Sequence, residues 1–151
     1  MKISTRGRYA LRLMLEIAMS VDNTPVSIKE IAVKQGISDK YLEQIISVLN
    51  KAGYVKSIRG AQGGYVLKTD PEKCTVGMIL RLTEGSLSPV QCLEDGEPRC
   101  DRIDKCATIE VWKRLDAAIS SVVDNITLSD LVELQKKKEQ ELIDDYYAKD
   151  I

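Results

Sequence analysis

The chain has 151 residues, of which 44% are hydrophobic and 30% are charged, and its net charge is −1. This length allows one domain core extended by a helix, and the composition is typical of a folded globular protein. No apolar run approaches the roughly 18 residues that indicate a membrane-spanning helix. The N-terminus is basic and then apolar, but Arg12 and Glu16 interrupt the apolar stretch and no small-residue cleavage site follows. We therefore exclude a signal peptide and expect a cytoplasmic protein.

The charges are divided unevenly along the chain. Residues 1–68 hold 11 of the 22 basic residues but only 5 of the 23 acidic ones, whereas residues 69–151 are net acidic. A basic half on a nearly neutral protein indicates a surface that faces a polyanion. Charge alone also fits an ordinary solvated surface, so the motifs must decide between the two interpretations.

The first fifty residues contain three helical patterns. Apolar residues recur at helical spacing from about residue 5 to 20, and a turn rich in Asp, Asn and Pro ends that helix. Ser27 and Glu30 form a capping-box pattern at the start of a short second helix, which ends at Gly36. Ser38 is placed to cap a third helix with one apolar face.

Two short β-prone segments follow, Tyr54–Ile58 and Tyr65–Leu67, joined by the glycine-rich segment Arg59–Gly64. This pattern predicts a hairpin. Helix, tight turn, helix and hairpin in this order are typical of a winged helix-turn-helix, in which the second helix of the motif enters the major groove. A phosphate-binding glycine loop would need a helix after it, and here a strand follows, so we reject nucleotide binding.

The rest of the chain is expected to be helical again. Residues 75–82 predict a short helix, and an irregular loop follows it. A long helix from about Thr108 to Asn125 carries an apolar stripe too extensive for one small core, which predicts the contact of a homodimer. A last helix begins near Thr127 and is expected to fray from Lys136, where the sequence becomes strongly charged. The stripe consists of Val111, Trp112, Leu115, Ile119, Val122 and Ile126.

These elements predict a mainly α fold with a small β-hairpin wing, a winged helix-turn-helix joined to a long dimerisation helix. We divide the chain into a DNA-binding domain over residues 1–70, a connecting helix and cysteine-bearing loop over 71–107, and a dimerisation helix with a C-terminal helix over 108–151. A two-fold dimer would place two recognition helices on successive major grooves, which predicts a palindromic operator in double-stranded DNA.

The exposed side of the third helix is expected to contact bases. Its apolar face leaves Lys40, Glu43 and Gln44 directed away from the core. A glutamate can accept a hydrogen bond from cytosine N4, and a glutamine can pair with adenine. The alternative is that these are ordinary exposed polar residues on a small α/β core.

The wing is expected to reach the DNA backbone, because its glycines allow close approach to phosphate. It offers Lys56, Arg59 and Gln62. The full set of expected DNA-contacting residues is Lys2, Thr5, Arg6, Arg8, Ser38, Lys40, Tyr41, Glu43, Gln44, Lys56, Arg59 and Gln62.

Three stretches of the sequence resemble the Rrf2 family of bacterial winged-helix regulators. They are MKISTRGRYAL at residues 1–11, YLEQ at 41–44 and VKSIRGAQGGY at 55–65. The resemblance runs along nearly the whole chain and fades after about Lys136. It implies a DNA-binding transcriptional regulator, and it implies DNA contacts for Glu43 and Arg59, which stand where the family motif places such residues.

Cys92, Cys100 and Cys106 lie in a polar loop just before the long helix. Without an export signal, a disulfide framework is not expected. Three thiolates on one irregular loop can converge on one soft-metal cluster, whereas the alternatives are zinc, a thiol switch or unreactive free thiols. Within the Rrf2 family these cysteines most resemble the IscR branch, which implies a 2Fe-2S or 4Fe-4S iron–sulfur cluster, a homodimer built on the long helix, and control of cluster-assembly genes.

The sequence departs from the IscR branch in its ligands. The spacing between the first two cysteines is two residues longer, and Ile109 stands where that branch has a histidine ligand. The chain contains no histidine at all. The fourth ligand would then be a carboxylate, with Glu110 as a weak candidate, or a group of the partner chain, Cys74 or an exogenous molecule.

The alternative within the family is a cluster-free, CymR-like repressor of cysteine and sulfur metabolism, because Ser88–Gln91 and the segment after it resemble that branch. An enzyme is not expected, since there is no histidine and no nucleophile–base pair in the sequence. A purely structural interaction protein is disfavoured by the basic wing. We therefore expect a homodimeric DNA-binding regulator or repressor that senses iron, cluster or redox status.

Overall fold

The computed structural model describes residues 2–96 and 100–149. In these ranges the expected mainly α fold with a β-hairpin wing is confirmed. The two strands pair antiparallel, with Val55 opposite Leu67. Short 3-10 turns occur at Val21–Asn23, Gln91–Gly96 and Ile103–Lys105. The main elements are α1 (Thr5–Ala18), α2 (Ile28–Gln35), α3 (Asp39–Lys51), β1 (Val55–Ile58), β2 (Gly64–Leu67), α4 (Val76–Glu84), α5 (Ile109–Val123) and α6 (Leu128–Lys149).

Local side-chain caps start the helices of the first half. Ser27 and Glu30 form the expected capping box, since the Ser27 hydroxyl accepts from the Glu30 N–H at 3.2 Å and the Glu30 carboxylate accepts from the Ser27 N–H at 2.8 Å. The Ser27 N–H bond also lowers the pKa of Glu30. Gly36 ends α2 in the left-handed region, with φ of 63°, which a residue without Cβ adopts at low cost. This glycine makes the tight turn of the helix-turn-helix.

Helix α1 lies at the centre of the core, in contact with α3, α4 and α6. Its apolar face and that of α3 are almost completely buried, and Leu128 at the start of α6 joins them. Residues from both halves of the chain therefore contribute to one core around the helix-turn-helix. The fully buried side chains include Leu13, Met14, Ile17, Ile31, Leu42, Ile45, Ile46, Leu49, Ile79 and Leu128.

A second, smaller apolar cluster joins α4 to α5 and α6. It is built on Val76, Leu80 and Leu87, with Ile119 and Ile126 packed against it. Backbone hydrogen bonds reinforce the junction, because the segments before α4 and α6 form an antiparallel bridge between Thr75 and Thr127. The Arg81 guanidinium also binds the Asp124 carboxylate with two hydrogen bonds, at 2.5 and 3.0 Å.

The second cluster corrects the expectation that the whole apolar stripe of α5 forms the contact of a homodimer. Ile119 and Ile126 pack inside their own chain, whereas Val111, Leu115 and Val122 are 51%, 44% and 58% exposed. Leu115 lies four residues after Val111, and Val122 lies seven residues after Leu115, so these three share one side of α5, and we call them the α5 face. Ile119, four residues after Leu115, lies at the edge of this face and packs against the second cluster.

The expectation that the last helix frays from Lys136 is wrong. Helix α6 continues to Lys149. Contacts four residues apart support this charged part of the helix, since Gln135 donates to Glu139 at 2.9 Å and Gln140 donates to Asp144 at 2.8 Å. Of the expected loop before α5, residues 97–99 lie outside the described part of the chain.

Candidate nucleic-acid interface

Helix α3 separates an apolar face from a polar one. Leu42, Ile45 and Ile46 are buried, and the opposite side chains of Lys40, Glu43, Gln44 and Ser47 are exposed. Glu43, Gln44 and Ser47 lie three, four and seven residues after Lys40, so all four exposed residues share one side of the helix. A helix with this arrangement can lie in a major groove with the polar side toward base edges. Ser47 was missed in the sequence, although the same periodicity includes it.

Ser38 and Tyr41 have structural contacts at the start of α3. The Ser38 hydroxyl accepts from the Tyr41 N–H at 3.2 Å and caps the helix. The Tyr41 ring is half-buried and meets the Tyr9 ring edge-on, with 5.8 Å between the centroids. This stacking places the first half of α1 beside the start of α3.

The wing, residues 55–67, is anchored to the helix-turn-helix by a backbone bridge. Val26 bridges to Tyr65 of β2 through two backbone hydrogen bonds, at 3.0 and 2.9 Å. At the tip, a Cβ on Gly63 would lie only 2.3 Å from the Ile58 carbonyl oxygen, so this turn requires glycine. The tip presents exposed Arg59 and Gln62.

Residues 2–8, the N-terminal arm, form the third exposed basic element. Lys2, Arg6 and Arg8 are exposed, and Arg8 donates to the Thr5 hydroxyl at 3.1 Å. Ser4 caps α1 and is held by Glu84 of α4, which accepts from the Ser4 N–H at 3.2 Å. Glu84 was not a candidate in the sequence, because eighty residues separate the two and no local pattern links them.

Helix α3, the wing and the arm all lie in the basic half of the chain, and each exposes polar or basic residues. Lys56 of β1 and Lys40 of α3 are exposed along with the arm. Cations of this kind hold the phosphate backbone, and the fixed side chains of α3 can read bases. The arrangement is therefore suited to double-stranded DNA.

The cysteines occupy three different environments. Cys74 is completely buried beneath α6, and its burial raises the pKa of its thiol. Cys92 and Cys106 are half-buried, and Cys100 is exposed. Cys74 is therefore a packing residue of the core and is poorly placed to act as a ligand.

Cys106 is the thiol with the clearest activating contact. Its sulfur lies 3.1 Å from the Thr108 hydroxyl, just before α5. This hydrogen bond, helped by the backbone N–H groups of Thr108 and Ile109 and by the charge of Arg102, lowers the pKa of the Cys106 thiol. A larger thiolate fraction makes the sulfur a better metal ligand and a better nucleophile.

The three loop cysteines do not form a ready-made metal site as the structure places them. Within residues 2–96 and 100–149, no three side chains of His, Cys, Asp or Glu lie close enough to hold one metal ion. The donor chemistry suits a soft metal, but the loop would have to change shape to gather the thiols. Glu110, the weak candidate for a fourth ligand, instead pairs with Lys113 at 3.1 Å.

No helix of the described ranges combines the length and the apolar composition needed to span a membrane.

Comparison with known proteins gives a consistent family. Residues 3–134 match the profile of the Rrf2 family, described as an iron-dependent transcriptional regulator. The transcriptional regulator CymR of Bacillus subtilis is 49% identical over 131 residues, covering 87% of this chain and 89% of CymR. The regulator IscR of Aliivibrio salmonicida is 38% identical over 147 residues, covering 95% of this chain and 86% of IscR.

The fold agrees with these relatives. The solved structure of B. subtilis CymR, described as the global cysteine regulator of that organism, has a TM-score of 0.76 and 47% identity. It covers 89% of this chain and 98% of the CymR chain. The relatives are named as helix-turn-helix regulators rather than enzymes. The expected resemblance to IscR is thus supported, although the sequence identity to CymR is higher. The chain belongs to the Rrf2 family of DNA-binding transcriptional regulators.

Proposed function

We propose that this regulator reads a palindromic operator with α3 and the wing, as a homodimer in which residues 1–70 of each chain form the DNA-binding unit. The observation that carries the proposal is the two-sided character of α3. Leu42 and Ile45 anchor it rigidly in the core, and Lys40, Glu43 and Gln44 extend from the opposite side. A rigid helix with fixed polar groups is what sequence-specific contact requires.

The α5 face supports the two-fold dimer. Val111, Leu115 and Val122 expose about half of their surfaces on one side of the helix, and an exposed apolar row of this kind indicates a protein contact. An isologous pair of such faces generates two-fold symmetry. Two α3 helices related in this way fit half-sites about one helical turn, roughly 34 Å, apart.

Selection of duplexes from a random pool tests the DNA-binding part. We expect the purified protein to enrich an inverted repeat whose half-site centres are about 10 base pairs apart. A matched selection with Glu43→Ala should return a less defined half-site. Recovery of random sequence with the unaltered protein would contradict sequence-specific binding.

We propose further that the cysteines set the affinity for DNA through an iron–sulfur cluster held by Cys92, Cys100 and Cys106. The family description as iron-dependent and the IscR relatives support this proposal, as does the lowered pKa of Cys106. The affinity for DNA would change when the cluster is assembled or lost. The regulated genes would be those of cluster assembly. Glu110 remains the weak candidate for the fourth ligand.

A cluster-free, CymR-like regulator of cysteine metabolism is the second candidate. The 49% identity to CymR supports it, as does the finding that no three donor side chains of the described residues lie close enough to hold one metal ion. In that case Cys106 is the thiol best prepared to respond to an oxidant or a thiol-reactive signal, because of its Thr108 contact.

Iron content and visible absorbance of protein purified without oxygen distinguish the two candidates. The cluster proposal predicts bound iron and charge-transfer absorbance, lost on Cys92→Ser, Cys100→Ser or Cys106→Ser. Cys74→Ala is the matched control and should retain the iron, because Cys74 is buried in the core. Iron-free protein after anaerobic reconstitution, with unaltered DNA binding, would favour the cluster-free candidate.

A further inference from the structure

The second half of α6, residues 135–149, extends beyond the match to the family profile, which ends at residue 134. We call this segment the α6 tail. Its apolar residues lie on the side of the helix that Leu128, which is fully buried, occupies at the start of α6. Leu142 and Tyr146 lie on that same side, and they are 69% and 67% exposed. Beyond Gln135 and Glu139, which are polar and hydrogen-bonded to each other, the core-facing side of α6 therefore presents an exposed apolar surface.

Charged residues flank this surface in an ordered way. Lys138 and Asp145 are seven residues apart, which is two helical turns, so both lie on the same edge of the apolar side. Together with Glu141 and Leu142 they line a shallow surface groove of about 300 Å³. One edge of the tail thus carries a cation at its start and an anion at its end, with Leu142 between them.

This order is self-complementary when two tails run in opposite directions. An antiparallel pair centred between Glu141 and Leu142 brings Lys138 of each copy opposite Asp145 of the other. The two-fold axis repeats the same pair on the other side of the centre. In a parallel pair, the edges that carry Lys138 and Asp145 in the two copies would lie on opposite sides of the interface, so these charges would not pair.

We propose that the α6 tail binds the tail of a second copy of this chain as an antiparallel helix pair. Leu142 and Tyr146 form the apolar contact, with Ile143 beside them, and Lys138 pairs with Asp145 across the interface. Nucleic acid is a poor occupant for this surface, because Glu141, Asp144 and Asp145 would repel phosphates.

The proposed contact uses none of the residues of the α5 face, so we expect it to form without pairing through α5. A helix pair of about four turns buries less than the roughly 1,600 Å² of a standard interface, so we expect weak association. Where chains are already joined through α5, a second two-fold contact strengthens or extends the assembly.

Sedimentation equilibrium of the full chain with Leu115→Glu and Val122→Glu isolates the tail contact, because these changes remove pairing through α5. We expect this variant to retain a concentration-dependent monomer–dimer equilibrium. Adding Lys138→Glu or Asp145→Lys creates two like-charge contacts per dimer and should weaken association about tenfold. Combining both substitutions in one chain restores opposite charges and should restore association.

Lys137→Glu is the matched control, because Lys137 points to the back of the helix, where it lies 4.0 Å from Glu141 of its own chain. It should leave association unchanged. Circular dichroism confirms the fold of each variant. A purely monomeric starting variant, or a charge-swapped chain as weak as the single variants, would overturn the tail contact. Operator binding by the Leu115→Glu, Val122→Glu variant tests the proposed function and not the tail contact.

Discussion

Glu84, the last residue of α4, accepts hydrogen bonds from both the backbone N–H and the hydroxyl of Ser4, the N-cap residue of α1. The carboxylate lies so close to α1 that a Cβ on Gly7 would overlap its oxygen. Gly85 follows immediately and starts the segment that leads to Cys92. Glu84 thus holds the basic N-terminal arm through its side chain and leads through the main chain into the loop that bears the cysteines.

A double-mutant cycle tests this link. Ser4→Ala and Glu84→Ala should each lower the free energy of unfolding, because each removes a shared hydrogen bond. The double variant should lose less free energy of unfolding than the two single variants lose together. Urea denaturation should give a coupling energy of about 0.5–1 kcal/mol. Glu72→Ala, an exposed acidic position, should be additive with Ser4→Ala. Strict additivity for Glu84 would contradict the link.

Arg59 should contribute directly to operator affinity. Its guanidinium is exposed at the tip of the wing, so Arg59→Ala should weaken binding by about 1–3 kcal/mol if it reaches a base edge. Affinity of the unaltered protein should also fall linearly in log K against log salt concentration, as phosphate contacts require. Fluorescence anisotropy on the selected duplex measures both. Unchanged binding by a folded variant would remove Arg59 from the interface.

Glu43 should determine which sequences bind rather than how tightly DNA in general is held. A carboxylate near phosphates is repelled by them, so its position on the exposed side of α3 favours a role in discrimination. Glu43→Ala should lower the ratio of the affinity for the operator to the affinity for random duplex. The affinity for random duplex itself should stay the same or rise. Glu133→Ala, exposed on α6, serves as the charge-matched control. An equal loss on all duplexes would indicate a structural role for Glu43.

The local elements were predictable from sequence because each has a short-range cause. Ser27 and Glu30 are three residues apart and form their capping box within one turn. The helical spacing of Leu42, Ile45 and Leu49 likewise defines the buried side of α3 without reference to any other element. The polar side of that helix, where the candidate DNA contacts lie, follows directly.

Relationships across long sequence distances were not predictable in the same way. Whether Leu115 or Ile119 faces the rest of the chain depends on where α4 lies, and both fit an apolar stripe equally well. The Ser4–Glu84 contact has no sequence signal for the same reason. The separation of the thiols depends on the path of an irregular loop, for which spacing alone offers no periodic rule.

The reactivity of Cys106 should depend on Thr108. The Thr108 hydrogen bond holds the pKa of this thiol below its ordinary value, so more thiolate is present near neutral pH than for an unassisted thiol. Thr108→Val should raise the pKa of Cys106 and slow its alkylation by iodoacetamide at pH 7. The rates should converge at alkaline pH, where the thiol is ionised in both proteins. Peptide mass spectrometry measures labelling by site, with slow labelling of Cys74 as an internal control. Equal rates at pH 7 would exclude the Thr108 contact as the cause.

The α5 face should be necessary for both assembly and operator binding. Leu115→Glu with Val122→Glu places carboxylates in the expected contact, whereas Ala117→Glu alters an exposed position on the other side of α5. Ile119 is unsuitable for this test, because it packs against α4 in its own chain and its loss would perturb the fold. The double variant should therefore remain folded while it loses the α5 contact.

Sedimentation velocity on the selected operator duplex tests the dimeric regulator most directly. The unaltered protein should bind as two chains per inverted repeat, as should Ala117→Glu, and the Leu115→Glu, Val122→Glu variant should lose operator binding. Occupation of the operator by single chains, with the double variant binding as tightly as the unaltered protein, would contradict a two-fold dimer that presents two α3 helices to the DNA.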